Sequence, residues 1–437
     1  MSSLQAGAAR VDITPELGCH MCGYFQDRLA DDVHSPLFAK AIALSDGTTT
    51  IGFVVCDLIA LPREVTDAAK AMIAAETGVP PSNVLIAGTH THYGPALRGA
   101  LGTPAQEGYA EWVPRKIADA FVIAHRRLEP AQVGHGSGAC PTEVHCRRWH
   151  MKDGSVRMNP GYQNPECVRP EGPTDPELGV LVVRTLEGKP IAVMGNLALH
   201  YVGGGPATWI SADYFGAFGE ALRRCAGDEF VAIMANGCFG DINNCNFSRP
   251  APHQPYPYAN VERVANVAAG EAWKVWNTLR EDDFAADVTL GASLEDVRYE
   301  ARTPSEQELA AARARLEGPE QPNDTDWVYA RELVMIEDMP SSWTVPLHAL
   351  RVGGLGIVGL PGEVFARIGL GIKKASPLDR TMVVGLANDS VGYVGTDDAI
   401  RIGGYETRLC RHVRTPVGTA DLWTETATRL LTDLSQG

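Results

Sequence analysis

Apolar, β-branched runs recur along the chain, and each breaks into polar or glycine-containing sequence. They are Ile51–Cys56 before Asp57, Val84–Ala87 before His90, Ile191–Leu199 before His200, Phe230–Ala235 before Asn236, Leu355–Leu360 before Glu363 and Met382–Ala387 before Asn388. Short runs that are apolar on both faces predict buried strands that deliver polar residues from their ends. Between some of them the spacing predicts helices over Val65–Glu76, Tyr109–Arg127, Ala217–Cys225, Val261–Glu281 and Pro304–Leu316. The last, rich in Ala, Glu and Arg, reads as a solvated surface helix whose N-terminus is supported by Ser305 and nearby acids. Strands interleaved with helices predict an α/β architecture with mixed sheets, flanking helices and a metal site at the strand ends. With no Gly/Ser linker, charge block or internal repeat, residues 1–437 are expected to form one large catalytic domain. The proline-rich stretch Asn246–Pro257 predicts a long loop acting as a lid or substrate wall.

Composition narrows the function. Hydrophobic residues make up 45% and charged residues 21%, which suits a folded globular chain and excludes disorder. A formal net charge of −15 argues against nucleic acid or an anionic membrane as obligatory partner, since both require basic patches. A small-molecule substrate fits better, without stable membrane association. Neither a membrane span nor a secretory signal is legible, so a cytoplasmic location is expected. The ten cysteines lack the spacing of a disulfide scaffold and are expected to be free thiols. Cys19 and Cys22 form a Cys-x-x-Cys with no second pair to close a structural zinc site, which favours a loop of small residues.

The candidate chemistry begins at Asn83–Pro95, where an apolar run ends in His90-Thr91-His92 and then breaks at Gly94-Pro95. In an extended chain His90 and His92 project to the same side, within reach of one metal or of a metal and a substrate oxygen. A pair of partly buried histidines at a strand end is an equally good reading of the motif alone. His200 ends another strand before Tyr201 and the run Gly203–Gly205. Glu363 follows Pro361-Gly362 at a third strand end, as a helix-capping glutamate for Val364–Lys374 or as a ligand. Tyr393 stands at a fourth. Two histidines and a carboxylate are a known ligand set for catalytic zinc. Asp57 and Asp241, also at strand ends, are candidates to orient a ligating imidazole.

Taken together, the residues Thr89-His90-Thr91-His92 with Gly94-Pro95, Pro361-Gly362-Glu363, and Gly392-Tyr393-Val394 with Tyr405 twelve residues on resemble the catalytic domain of the neutral, non-lysosomal ceramidases. The resemblance runs from Gly7-Ala8-Ala9-Arg10-Val11-Asp12 to about Arg408. It implies that His90, His200, Glu363 and Tyr393 bind one zinc ion (Zn2+), and that His92, Arg147 and Tyr405 line the cleft as catalytic or oxyanion-orienting groups. Arg148, next to Arg147, is the alternative at that position. Where the family has a Gly-Asp-x-Ser-Pro type segment this chain reads Gly240-Asp241-Ile242-Asn243-Asn244, so Asn243 replaces a serine expected near the scissile amide. With the resemblance running only to about Arg408, the family's C-terminal immunoglobulin-like domain is not expected here.

The implied activity is zinc-dependent hydrolysis of an amide bond in a small soluble acylated substrate. His92 would serve as base, and Tyr405, Tyr393 and Arg147 would stabilise the oxyanion. Ester, lactone or lyase chemistry on the same scaffold is the alternative, as is a non-catalytic binding protein that retains the metal. The residue order expected of an amidohydrolase barrel is not found, and Gly94-Pro95 stands where a metallo-β-lactamase would carry Asp-His.

Overall fold

The computed structural model describes residues 4–227 and 229–436. Its largest sheet runs in the order Val231–Asn236, Pro190–Leu197, Glu177–Thr185, Glu129–Ala139, Gln5–Asp12, Phe38–Ser45, Thr50–Cys56 and Val84–Gly88, with the short strand Phe284–Ala285 beside Glu129–Ala139. A second sheet orders Leu290–Glu300, Ser342–Val352, Leu355–Gly359 and Arg380–Val384. The mixed α/β architecture expected from the sequence is what the structure shows.

One face of each sheet turns into a shared interior. Phe53, Val55, Leu181, Met194, Leu350, Ile357 and Met382 meet there in one buried cluster. The other faces are covered by helices, in keeping with strands that are apolar on both sides. Helices α1 (Arg63–Thr77) and α2 (Tyr109–Arg126) back the half of the large sheet that carries Ala41, Val54 and Ile86. Helices α3 (Asp213–Ala226) and α4 (Ala259–Thr278) back the half that carries Val180, Val193 and Met234. The helices α5 (Glu306–Leu316) and α6 (Thr325–Ile336) form a hairpin, followed by α7 (Ala366–Ala375), α8 (Asp397–Ile402) and α9 (Thr419–Gln436). Ile372 of α7 and Trp423 and Leu431 of α9 pack against Leu347 and Val358 of the second sheet.

Three parallel strand pairs position the site. Thr50–Cys56 pairs with Val84–Gly88 across α1, Pro190–Leu197 with Val231–Asn236 across α3, and Leu355–Gly359 with Arg380–Val384 across α7. Each is a strand–helix–strand unit, and ligand sites in such units gather at the carboxyl ends of the strands. The strands Val84–Gly88 and Val231–Asn236 end the sheet order on opposite sides, yet their carboxyl ends meet, with Asn236 Nδ2 donating to the Thr89 carbonyl at 3.1 Å. Among the described residues no helix is long and apolar enough to cross a membrane.

Candidate metal centre and its cleft

The first unit delivers His90. Beyond Gly88 the strand pairing ends, and the chain is held by Thr89 N and His90 N donating to the carbonyls of Cys56 and Leu58 at 2.9 Å each. His90 has φ +75°, a left-handed conformation that costs a side-chain-bearing residue energy and persists only where the surroundings enforce it. Its Nδ1 donates to the Ile59 carbonyl at 2.8 Å, which leaves Nε2 as the free lone pair. His92 then returns with its Nε2 3.0 Å from that of His90. The two rings therefore converge through a turn containing a strained residue. Face alternation along an extended strand, expected from the sequence, is not the cause.

The second unit delivers His200, whose Nε2 lies 3.2 Å from His90 Nε2. Asn236 ties the two segments, since its Oδ1 accepts from Leu199 N at 3.3 Å while its amide holds Thr89. The third unit delivers Glu363, with Oε2 3.3 Å from His90 Nε2. Glu363 does not cap a helix. It belongs to a short strand paired with Tyr393-Val394, and α7 begins three residues later with Ala366 N donating to Asp241 Oδ1 at 2.8 Å. That bond assigns Asp241 to the helix, and Asp57 pairs with Lys40 at 2.9 Å, so neither carboxylate orients an imidazole. A backbone carbonyl does that for His90.

Arg147 faces the site and Arg148 does not. Arg147 Nη1 lies 3.2 Å from His200 Nδ1 and its guanidinium stands 5.2 Å from the Tyr393 ring centre. Arg148 turns to Glu171, the Gly403 carbonyl and Glu406. Fully buried Glu406 accepts from Arg147 Nε at 2.8 Å and Arg148 Nη1 at 2.7 Å, holding both cations in place. Tyr405, beside Tyr393 with ring centres 5.7 Å apart, completes this wall.

Burial sets the protonation of the site. His92 and His200 are held well below the ordinary imidazole range, first by burial and then by the neighbouring His90 and Arg147. Both are neutral at pH 7. Burial pushes the phenols of Tyr393 and Tyr405 upward, so both remain O–H donors. Burial would also raise Glu363, but His90, Arg147 and Tyr393 outweigh it and hold the carboxyl below its usual range. Glu363 Oε2 and Arg147 Nη2 are buried without a hydrogen-bond partner.

Imidazole nitrogens closing on one point, beside a carboxylate oxygen with an unused lone pair, suit a divalent cation. His90, His92 and His200 form the group whose ligand atoms all lie within 4.8 Å of one another.

A cavity of about 130 Å³ opens onto His90, His92 and Glu363. Tyr24, Ile59, Leu97, Leu101, Ser390, Tyr393, Tyr405 and His412 also line it. A larger hollow of about 510 Å³, between Arg10, Phe38 and the helices α3 and α4, contains none of these residues. Sequence reasoning missed His412, Tyr24 and Tyr201, whose ring lies flat on His92 with centres 3.7 Å apart and planes at 17°. Only the adjacency of Tyr201 to His200 hinted at it. Asn243 stands outside the cavity lining; its amide donates to Asn159 Oδ1 at 2.7 Å and its carbonyl accepts from Cys245 N. The loop Asn246–Pro257 is no cleft wall either, since Gln254 binds the Gly204 carbonyl and none of the loop reaches the cavity. Cys19 and Cys22 are buried free thiols, and Cys22 lines the cleft.

No family model matches the chain. Two solved structures share its architecture: neutral ceramidase from Pseudomonas aeruginosa, with a TM-score of 0.78 and 19% identity over 100% of this chain and 75% of that one; and a ceramidase complexed with C2, with a TM-score of 0.76 and 18% identity over 100% and 76%. The chain has the neutral ceramidase fold.

Proposed function

We propose that the protein is a zinc-dependent hydrolase that cleaves the amide bond of a small, soluble acylated compound, with residues 1–437 acting as one catalytic domain. The observation that carries this reading is the convergence of His90, His92 and His200 on one point, beside the unpaired Oε2 of Glu363. His90, His200, Glu363 and Tyr393 would hold the ion, which supplies Lewis-acid polarisation of an acyl oxygen and a water of lowered pKa. His92 is assigned as base rather than ligand from the resemblance carried by Thr89-His90-Thr91-His92. Being neutral, its Nε2 accepts a proton from the attacking water and returns it to the leaving nitrogen. Tyr393 and Tyr405 as neutral phenols, and Arg147 through its unpartnered Nη2, donate to the oxyanion.

Two structures named as ceramidases share the fold, which favours amide chemistry. The cavity of about 130 Å³ favours a short acyl group, since sites for drug-sized ligands enclose roughly 300–1,000 Å³. Ten free cysteines favour the cytoplasm. Elemental analysis of protein purified without chelator should find about one zinc per chain, matching one ligand set. Zinc-loaded protein should hydrolyse short N-acyl compounds faster than the matching esters, lactones or a detergent-dispersed ceramide. Absence of bound metal, or efficient turnover of long-chain ceramide alone, would sink the proposal.

A further inference from the structure

The lining of the cleft has a charge pattern that the hydrolytic reading leaves unused. Among the described residues lining it, Glu363 is the single carboxylate, and it faces His90. The cationic or N–H-bearing groups of the remaining wall are Arg98 at the mouth and His412 inside, with the Ser390 hydroxyl on the same lining. This occurs in a chain with 53 acidic and 38 basic residues, so average surface composition does not account for it.

His412 is delivered by a built turn. Cys410 and Val413 bridge, and Arg411 donates from Nε and Nη2 to fully buried Glu332 of α6 at 2.9 and 2.8 Å. The turn also packs so tightly on Gly392 that a Cβ there would lie 1.9 Å from the His412 carbonyl oxygen. Gly392 has φ +68° and directly precedes Tyr393, so the turn that presents His412 and the strand that presents Tyr393 are fixed against each other.

Arg98 is committed only in part. Its Nη2 meets both oxygens of Glu64 at 3.1 Å, in a pair whose side chains are 46% and 68% exposed, and such a surface contact is readily exchanged for a ligand. The nearby Asp389 is occupied by the backbone N–H groups of Arg63 and Ser390.

We infer that Arg98, Ser390 and His412 form a carboxylate subsite, so that the substrate is a small amide bearing a carboxylate, of the N-acyl amino acid class. This rests on the hydrolytic reading above and names its substrate class. A guanidinium, a hydroxyl and an imidazole N–H are donors matched to the two oxygens of such a group.

The test uses N-acetylglycine, N-acetyl-β-alanine and N-acetyl-γ-aminobutyrate, each beside its uncharged carboxamide, so that three spacings of the carboxylate are sampled. With zinc-loaded protein, at least one acid should exceed its carboxamide in kcat/KM by about tenfold to a hundredfold, the range of a charge-assisted contact. Arg98→Gln, at an exposed position, should collapse that ratio through KM, and His412→Gln should reduce it. In metal-free protein, saturation-transfer NMR should show the acid binding and Arg98→Gln losing it. If carboxamides are hydrolysed as well as acids, the subsite falls and the hydrolase stands. If nothing is hydrolysed but the acids still bind through Arg98, the hydrolase falls and the subsite stands. Equal binding of acids and carboxamides overturns the subsite.

Discussion

His90 and His92 are two residues apart, have Nε2 atoms 3.0 Å apart, and are held by opposite means. His90 is fixed through polar bonds and backbone strain: a carbonyl takes its Nδ1, and its left-handed φ is enforced by the carbonyl that its own N–H meets. His92 is fixed by ring packing. Tyr201 lies flat on one face, Tyr24 meets it edge-on at 6.1 Å, and Gly23 approaches so closely that a Cβ would fall 2.6 Å from its Nδ1. A nitrogen anchored through its ring partner has a preset direction, whereas the His92 ring is held in place by what packs on its faces. Two identical residues two positions apart are thus held by different surroundings.

The largest effect should come from breaking the anchored side. His200→Ala and Glu363→Ala are each expected to remove metal and turnover together, read as zinc content and activity on the same sample. On the packed side, His92→Ala should retain zinc while kcat falls by roughly a hundredfold, the scale of a lost general base. Should His92→Ala release the ion while His90→Ala keeps it, the two roles are exchanged. A smaller effect is expected at the ring beneath it. Tyr201→Ala frees the His92 imidazole to tilt and should lower kcat by about tenfold with little change in KM, in line with the cost of a misplaced reacting group. Tyr201→Phe keeps the stacked face and should restore most of the loss, and failure of that rescue would remove stacking as the cause.

The packed side was also the less legible in the sequence. His90, His200, Glu363 and Tyr393 were readable because apolar runs end at them, and a buried strand leaves little doubt about where its polar end emerges. Tyr201 and His412 follow no such rule, since their positions depend on turns whose geometry is set by distant partners such as Glu332. In the fold, the runs at Ile51–Cys56 and Leu355–Leu360 became strands as expected, but central strands such as Glu129–Ala139 escaped notice. Its glycines Gly134, Gly136 and Gly138 interrupt the apolar pattern, and a Cβ at each would collide with Phe284, Val275 and Glu271. The glycines make room for what packs over the strand, and no local pattern encodes that. Alanine-rich Phe38–Ser45 hides for a similar reason, with close-packed neighbours on both faces.

The last expected effect, on stability and not on turnover, concerns the support of the anchored side. Asp241 receives Ala366 N at the start of α7, three residues beyond Glu363, and its burial pushes its pKa up from 3.8 to about 7. Between about pH 4 and 7 the unfolded chain has lost this proton while the folded chain keeps it. The folded state then binds more protons, so this group's contribution to stability falls as pH rises through the window and levels off above it. Asp241→Asn retains an oxygen for Ala366 N and carries no titrating proton. Its melting temperature relative to the parent should therefore rise from pH 5 to pH 8, by the equivalent of about 2–3 kcal/mol, at 1.36 kcal/mol for each of the roughly two pKa units remaining in that interval. Zinc content should be unchanged at both pH values, because Asp241 touches the helix and not the imidazoles. A difference in melting temperature that is flat with pH would show that the carboxyl is ionised in the folded protein, and loss of zinc would show that Glu363 depends on the start of α7 for its position.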